Sequence, residues 1–374
     1  MRKIYLSILL SLFALAGQAQ VSFSNGNVVT EIHTATVVMF NQRFYDSTER
    51  NHKKNGFGLD DARIGIESRS PNMEFKFEFD LSVLGSAVQD PTAPPITEAY
   101  FTYKGLEYFN IKSGFQKVPY SRDNLEEHFD MPFMQRPELD KGTIFNRRDV
   151  GVTLYRTFWD EKINAYAGLY SGQGGSVLTN INDASGSAEY AGRIDIAYPC
   201  KYKYIQIDET HTPIPIVQLG LNARYIQKPL STGFGNNIYL GLEHQKSVYG
   251  FDIAAAYQGL SFQFELDRSK VVPNNPSELL GLPTTYFLQG GASAQLNYHS
   301  KKLRSVFCIR YDELNPNDLS PNDTYKALSF AYNYLINGYR CVLKIQYTNP
   351  IKGTDTVLAP FDPQMRIGWQ YWFK

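Results

Sequence analysis

The amino-acid sequence predicts an all-β fold, namely a transmembrane antiparallel β-barrel of about 16 to 18 strands with long extracellular loops. Three observations predict it. Segments of about ten residues alternate between apolar and polar side chains along most of the chain. Their connections are short at one end and long and polar at the other. No second long apolar run follows the first 20 residues, which excludes a bundle of membrane-spanning helices.

The composition excludes several other classes. The chain has 374 residues, with 37 Lys and Arg against 37 Asp and Glu and only 3 Cys. Balanced charge without a basic run argues against binding to nucleic acid. Three cysteines cannot form the framework of a disulfide-stapled fold, and no pair has the spacing of zinc ligands.

The first residues have the features of a secretory signal peptide. Residues 4–16 are apolar, two basic residues precede them, and small residues follow up to Ala19. The apolar run is shorter than the ~20 residues that a membrane-spanning helix needs. We therefore expect a signal peptide over 1–19 and a single barrel domain over 20–374, exported to the outer membrane of a Gram-negative cell.

The strands follow from the alternation. The clearest case runs from Met73 to Leu81, where five apolar side chains point one way and four charged ones the other. The same period recurs at 217–225, 260–267 and 365–371. Further strands are predicted near 28–44, 57–69, 96–105, 107–117, 148–158, 162–171, 187–198, 236–246, 248–258, 285–299, 302–312, 325–335 and 338–348.

The connections between these strands differ in length. Short turns are predicted at Gly105, Gln245–Ser247, Gln258–Gly259 and Asn337–Gly338, and long polar loops at 119–147, 172–186, 268–284 and 313–324. Outer-membrane barrels have this asymmetry. A soluble β-sandwich also tolerates charged side chains on its outer face, so it stays an alternative.

The end of the chain favours the barrel. The outward-facing residues of the final strand would be Met365, Ile367, Trp369, Tyr371 and Phe373. Aromatic rings near a strand end suit the boundary between lipid and water. Such a terminal strand resembles the segment by which the barrel-assembly machinery recognises its substrates, although Lys374 follows the usual final Phe.

Seven short motifs occur in the order found in the phosphate-selective porins O and P, and the chain resembles that family over roughly the first half of the mature sequence. These motifs are 61–67, 79–80, 98–100, 114–120, 133–136, 148–152 and 168–172, with a weaker match at 220–225. The resemblance implies a 16-stranded barrel in the outer-membrane lipid, usually a homotrimer, with inward-folded loops and anion selectivity from Arg and Lys in the pore.

The segment 119–147 is the candidate constriction loop, because long connections in compact folds are usually functional. We expect Ser121 to cap a short helical turn, and the apolar residues Phe129, Met131, Phe133 and Met134 to hold the loop against the barrel wall. An exposed extracellular loop is the alternative.

Eight basic residues are pore-lining candidates. They are Arg63, Lys76, Lys117, Arg122, Arg136, Lys141, Arg147 and Arg148. The acidic residues of 117–148 equal the basic ones in number, so the sequence does not by itself predict a preference for phosphate. Any of these cations could instead pair with a neighbouring acid, as Arg148 with Asp149. No catalytic, cofactor or metal constellation is expected.

The predicted function is passive diffusion of small polar solutes or anions through a water-filled lumen. Two other functions stay open. One is a secreted soluble all-β binding protein or hydrolase. The other is a barrel with a plugged lumen that acts as an adhesin or enzyme.

Overall fold

The computed structural model describes residues 21–43, 56–85, 95–174, 188–227, 244–273, 284–320, 323–352 and 363–373. The predicted signal peptide lies outside these residues. The strands are β1 (Val21–Asn25), β2 (Val28–Arg43), β3 (Gly56–Arg69), β4 (Met73–Asp80), β5 (Ile96–Tyr103), β6 (Asn110–Lys117), β7 (Arg148–Phe158), β8 (Ile163–Tyr170), β9 (Ala188–Tyr198), β10 (Ile216–Gln227), β11 (His244–Tyr257), β12 (Leu260–Pro273), β13 (Phe287–Ser300), β14 (Ser305–Asn315), β15 (Tyr325–Asn337), β16 (Cys341–Lys352) and β17 (Gln364–Phe373).

Sixteen of these strands, β2 to β17, form a closed antiparallel barrel. Each strand pairs with the next, and β17 returns to β2 with Phe373 opposite Thr34 and Gln364 opposite Arg43. The short β1 pairs with the first residues of β2. Closure leaves no strand edge in the barrel unpaired, as a lipid environment requires. The predicted fold class is confirmed.

The two faces of the sheet separate the side chains as predicted. On β4, Phe75 is 45% exposed on the outer surface whereas Lys76 is 5% exposed inside. On β10, Leu219 is 50% exposed and Gln218 is fully buried. Tyr249 and Tyr257 flank the apolar part of the outer row of β11 and are separated by roughly 26 Å of strand. This spacing suits the two lipid boundaries of an apolar band.

Two regions differ from the predicted strands. The turn expected at Gln245–Ser247 is wrong, because these residues lie within β11 and pair continuously with β12. Their polarity has another cause, since Lys246 points into the barrel and donates to the carbonyl of Thr143 at 3.3 Å. Residues 268–273 and 313–315 likewise extend β12 and β14 rather than opening the following loops.

Helical structure is sparse in the described residues. It comprises α1 (Arg122–Leu125) and 3₁₀ turns at Ser82–Gly85, His128–Asp130 and Glu138–Asp140. None of the described helices has the length and apolar character needed to cross a membrane.

The connections define the two ends of the barrel. At the end we call the short-turn end, the strands are joined by brief turns such as 258–259, 301–304 and 338–340. The exception is the connection 199–215 between β9 and β10. The opposite end, which we call the long-loop end, carries the connection 118–147 between β6 and β7.

Candidate pore constriction

The connection 118–147, here called the constriction segment, lies inside the barrel. Its apolar side chains Val118, Tyr120, Met131, Phe133, Ile144 and Phe145 are at most 2% exposed. Phe133 packs in a cluster with Val306, Leu335 and Val342 of the inner wall. The predicted inward fold of this segment therefore agrees with the structure. The segment begins at residue 118, whereas the sequence predicted 119.

The local fold of the segment follows from its sequence. Ser121 occupies the N-cap of α1, where its Oγ accepts a hydrogen bond from the Asn124 backbone amide at 3.1 Å. The same hydroxyl donates to Asp140 at 3.1 Å, which joins the two halves of the segment. The predicted cap is confirmed.

The wall formed by β14 to β17 holds the segment by its backbone. Lys344 donates to the carbonyl of Met131 at 2.7 Å, and Gln370 donates to that of Phe129 at 2.7 Å. Arg310 reaches the carbonyl of Gln135 at 2.8 Å. Met134 donates its amide to Gln346 at 2.8 Å. Two cationic and two amide side chains of this wall thus bind the backbone of the constriction segment.

The connection 199–215, here called the inner turn, enters the barrel from the short-turn end. Gln206 is 1% exposed and donates to Asp123 at 2.6 Å and to Glu126 at 2.5 Å. Ser261 and Asn297 of the wall donate to its backbone carbonyl at 2.6 and 2.8 Å. The inner turn and the constriction segment therefore meet inside the barrel.

Arg122 completes this junction. Its guanidinium donates to the carbonyls of Lys203 and Ile205 at 2.8 and 3.1 Å and lies 3.2 Å from Glu126. Tyr202 of the inner turn stacks against it, with 4.6 Å between the guanidinium carbon and the ring centroid. Because Arg122 is 1% exposed, it joins the two segments and does not line an open path.

Five more of the eight candidate cations have partners among neighbouring residues. Arg63 contacts Asp61 at 2.6 Å and Glu78 at 3.0 Å. Lys76 contacts Glu98 at 2.6 Å. Lys117 and Arg136 donate to carbonyls of the constriction segment and are also buried, with Lys117 lying 3.3 Å from Glu127. Lys141 is exposed and pairs with Glu138.

Arg147 and Arg148 differ from the other candidates because neither has a close carboxylate partner among the described residues. Arg148 has one distant carboxylate, Glu98 at 3.9 Å, and its side chain is 15% exposed. Arg147 has no ion pair or side-chain hydrogen bond with the described residues. Asp149 instead accepts from Ser171 and from the Val150 and Gly172 amides.

Accessibility distinguishes the two sides of the constriction segment. The side chains of Glu127 and His128 are 28% and 20% exposed, and they lie on the side of Arg148 and the β3–β6 wall. On the other side, Glu126 and Asp140 are each 1% exposed. The more exposed side chains of the constriction segment therefore lie on the side of the β3–β6 wall.

The sequence analysis missed the inner turn. Three prolines at 199, 213 and 215 bracket it, and its 17 residues exceed the other turns of that end. This unusual length was the available signal. Among the described residues, no group of three or more His, Cys, Asp or Glu side chains is arranged to hold a metal ion.

The closed barrel, its apolar outer face and its inward-folded constriction segment define a β-barrel channel. The family model described as phosphate-selective porin O and P matches residues 34–203, a stretch just under half of the chain. The predicted resemblance is therefore confirmed, and the chain is an outer-membrane porin, a channel for small solutes.

Solved structures share the fold at low sequence identity. OmpF of Salmonella typhi, in a complex with daunomycin, is 12% identical, with a TM-score of 0.60 over 94% of this chain and 100% of that chain. OmpT of Vibrio cholerae is 9% identical, with a TM-score of 0.58 over 94% and 100% of the two chains. The outer-membrane channel DcaP of Acinetobacter baumannii is 13% identical, with a TM-score of 0.55 over 94% and 99%. No curated protein sequence matches significantly.

Proposed function

We propose that this porin passes small anions in preference to cations, and that Arg147 and Arg148 are the residues that attract them. The observation that carries the proposal is the guanidinium of Arg147, which has no carboxylate partner among the described residues. Guanidinium groups bind phosphate and carboxylate oxygens in a bidentate geometry. A phosphate-class anion therefore suits this pair, as the matching family's description suggests.

The balanced charge of residues 117–148 does not oppose this preference. The carboxylates of Asp123, Glu126 and Asp140 are at most 5% exposed and lie on the buried side. Gln206, Arg122 and Ser121 already hold them there. A passing solute along the β3–β6 wall meets Arg147 and Arg148, opposed mainly by Glu127 and Glu98.

The reversal potential in a salt gradient across a planar bilayer tests the proposal. We expect anion selectivity in the unaltered porin and a shift toward cations in Arg147→Gln and Arg148→Gln. Removing one charge beside a water-filled path changes the ion energy by about 1 kcal/mol, or about fivefold in permeability ratio. Lys141→Gln is the matched control, because that lysine is exposed and paired. An unchanged reversal potential in both variants would reject the assignment.

A comparison of chloride with phosphate as the only anion then tests the substrate class. We expect phosphate to reduce the chloride current of the unaltered porin and to lose this effect in the double variant. Equal block in the two proteins would show that phosphate binds elsewhere.

Assembly is part of the same proposal. The outer row of β17, which includes Ile367 and Trp369, would present an apolar aromatic strand to the barrel-assembly machinery. The barrel would then sit in the lipid as a homotrimer. The resemblance supports both statements, and cross-linking of intact outer membranes tests the trimer.

A further inference from the structure

Two histidines face each other at the short-turn end. His211 belongs to the inner turn, and His299 is the second-last residue of β13. The Nε2 atom of His211 lies 3.2 Å from the Nδ1 atom of His299. The ring centroids are 5.1 Å apart, and the ring planes are inclined by 77°.

The surrounding backbone fixes both rings in place. The amide of His299 donates to the carbonyl of Gly259 at 2.8 Å. Asp208 accepts from the Gly259 amide at 2.8 Å and from the Thr212 amide at 2.9 Å, so that carboxylate ties the inner turn to the β11–β12 turn. His211 has a φ of +58°, an uncommon conformation for a residue other than glycine.

The separation of the nitrogens suits a bound metal ion. Imidazole nitrogens lie about 2.0 to 2.1 Å from zinc, and a tetrahedral angle then places two of them about 3.3 Å apart. The observed 3.2 Å agrees with this value. An ion bound between these nitrogens would displace the hydrogen bond that joins the two rings.

We propose that His211 and His299 form a two-histidine site for a borderline transition-metal ion of the zinc class. Imidazole ligands select zinc, copper and nickel over calcium and magnesium. Water would supply the remaining ligands, because both oxygens of Asp208 already accept hydrogen bonds from Thr210, Thr212 and Gly259. The carboxylate of Asp208 would contribute negative charge beside the ion.

The bound ion would join the inner turn to the barrel wall. His211 lies on the inner turn and His299 on β13, so one ion would bridge two parts of the chain that are 88 residues apart in sequence. Binding would therefore stabilise the inserted position of the inner turn. This site is independent of the proposed anion preference.

Titration of the folded, untagged barrel in detergent with Zn²⁺ alone tests the site by calorimetry. We expect one saturable site in the unaltered protein and its loss in both His211→Asn and His299→Gln, whose side chains retain hydrogen-bonding capacity. His33→Asn is the matched control, because His33 is buried in the barrel and contacts Glu78 at 3.4 Å. Its binding isotherm should match that of the unaltered protein.

A second measurement separates loss of the metal site from misfolding of a variant. Each protein is first checked for the faster gel migration of an unboiled barrel. Zn²⁺ should then raise the unfolding temperature of the unaltered protein and of His33→Asn, but not that of the two site variants. The absence of saturable binding, or equal binding in all four proteins, would overturn the proposal and leave the two rings as a hydrogen-bonded pair.

Discussion

Gln206 donates a hydrogen bond to Asp123 at 2.6 Å, and this contact joins a segment that enters from one end of the barrel to a segment that enters from the other. The side chain of Gln206 is surrounded by buried polar groups, since it also contacts Glu126 and accepts from Gln295 at 2.8 Å. Two connections, and not the constriction segment alone, therefore occupy the interior of the barrel.

Gln206→Leu is expected to destabilise this junction. The substitution removes the amide donor of Asp123 and one of the two amide donors of Glu126, which keeps Gln263. An unsatisfied buried polar group costs about 1 to 3 kcal/mol. The temperature at which the unboiled gel band disappears should fall. Gln245→Ala, at an exposed position of β11, is the control and should leave that temperature unchanged.

Shortening the inner turn should widen the channel. Replacement of residues 200–214 by a four-residue Gly/Ser link removes the side chains that meet α1 inside the barrel. We expect larger single-channel conductance in planar bilayers. Replacement of the turn 301–304 by the same number of Gly/Ser residues is the control for sequence changes at the short-turn end. Equal conductance in all three proteins would show that the inner turn does not limit the current.

Acid should release the inner turn through Asp208. Burial alone would raise the pKa of Asp208, but the backbone hydrogen bonds from Thr212 and Gly259 outweigh burial and hold that pKa below its ordinary value. The carboxylate therefore stabilises the inserted turn above about pH 4, and this stabilisation is lost as the pH falls through the lower folded value. Conductance should rise in that acidic range.

Asp208→Asn supplies the control for this pH dependence. The variant lacks the ionised carboxylate at every pH, so its conductance at neutral pH should already exceed that of the unaltered porin and should change less on acidification. A rise of equal size in both proteins would assign the acid response to another group.

A charge on the outer face should impair membrane insertion. Leu219 is exposed on the outer row of β10 and pairs with Ile253, midway between Tyr249 and Tyr257 of β11. An arginine at the middle of the bilayer costs about 2 to 4 kcal/mol in a β-barrel. We expect Leu219→Arg to reduce the folded fraction in lipid vesicles, and Leu219→Met to fold as the unaltered chain does. Normal folding of the arginine variant would argue that this row does not face lipid.

The fold was largely predictable from side-chain alternation. A strand with one apolar and one polar face alternates between apolar and polar residues. The two stretches 73–81 and 217–225 show this alternation, and the structure places β4 and β10 there. Turns were less predictable, because Lys246 and Ser247 have the polarity of a turn but lie within a strand whose inner face is polar.

The constriction was only partly predictable. The length of 119–147 and its apolar residues indicated an inward fold, since those side chains need a wall to pack on. The partners of individual cations depend on contacts between residues far apart in sequence. Arg122 and Gln218 are 96 residues apart, for example, and local sequence contains no sign of such a contact.

The pairing of β2 with β17 has a consequence for the biogenesis of the protein. The N-terminal barrel strand obtains one of its two neighbours only when the final strand has been synthesised. Every shorter precursor exposes two unpaired strand edges, which are templates for aggregation. The finished cylinder is free of that hazard, so the vulnerable period in the life of this porin is the interval between synthesis and sealing.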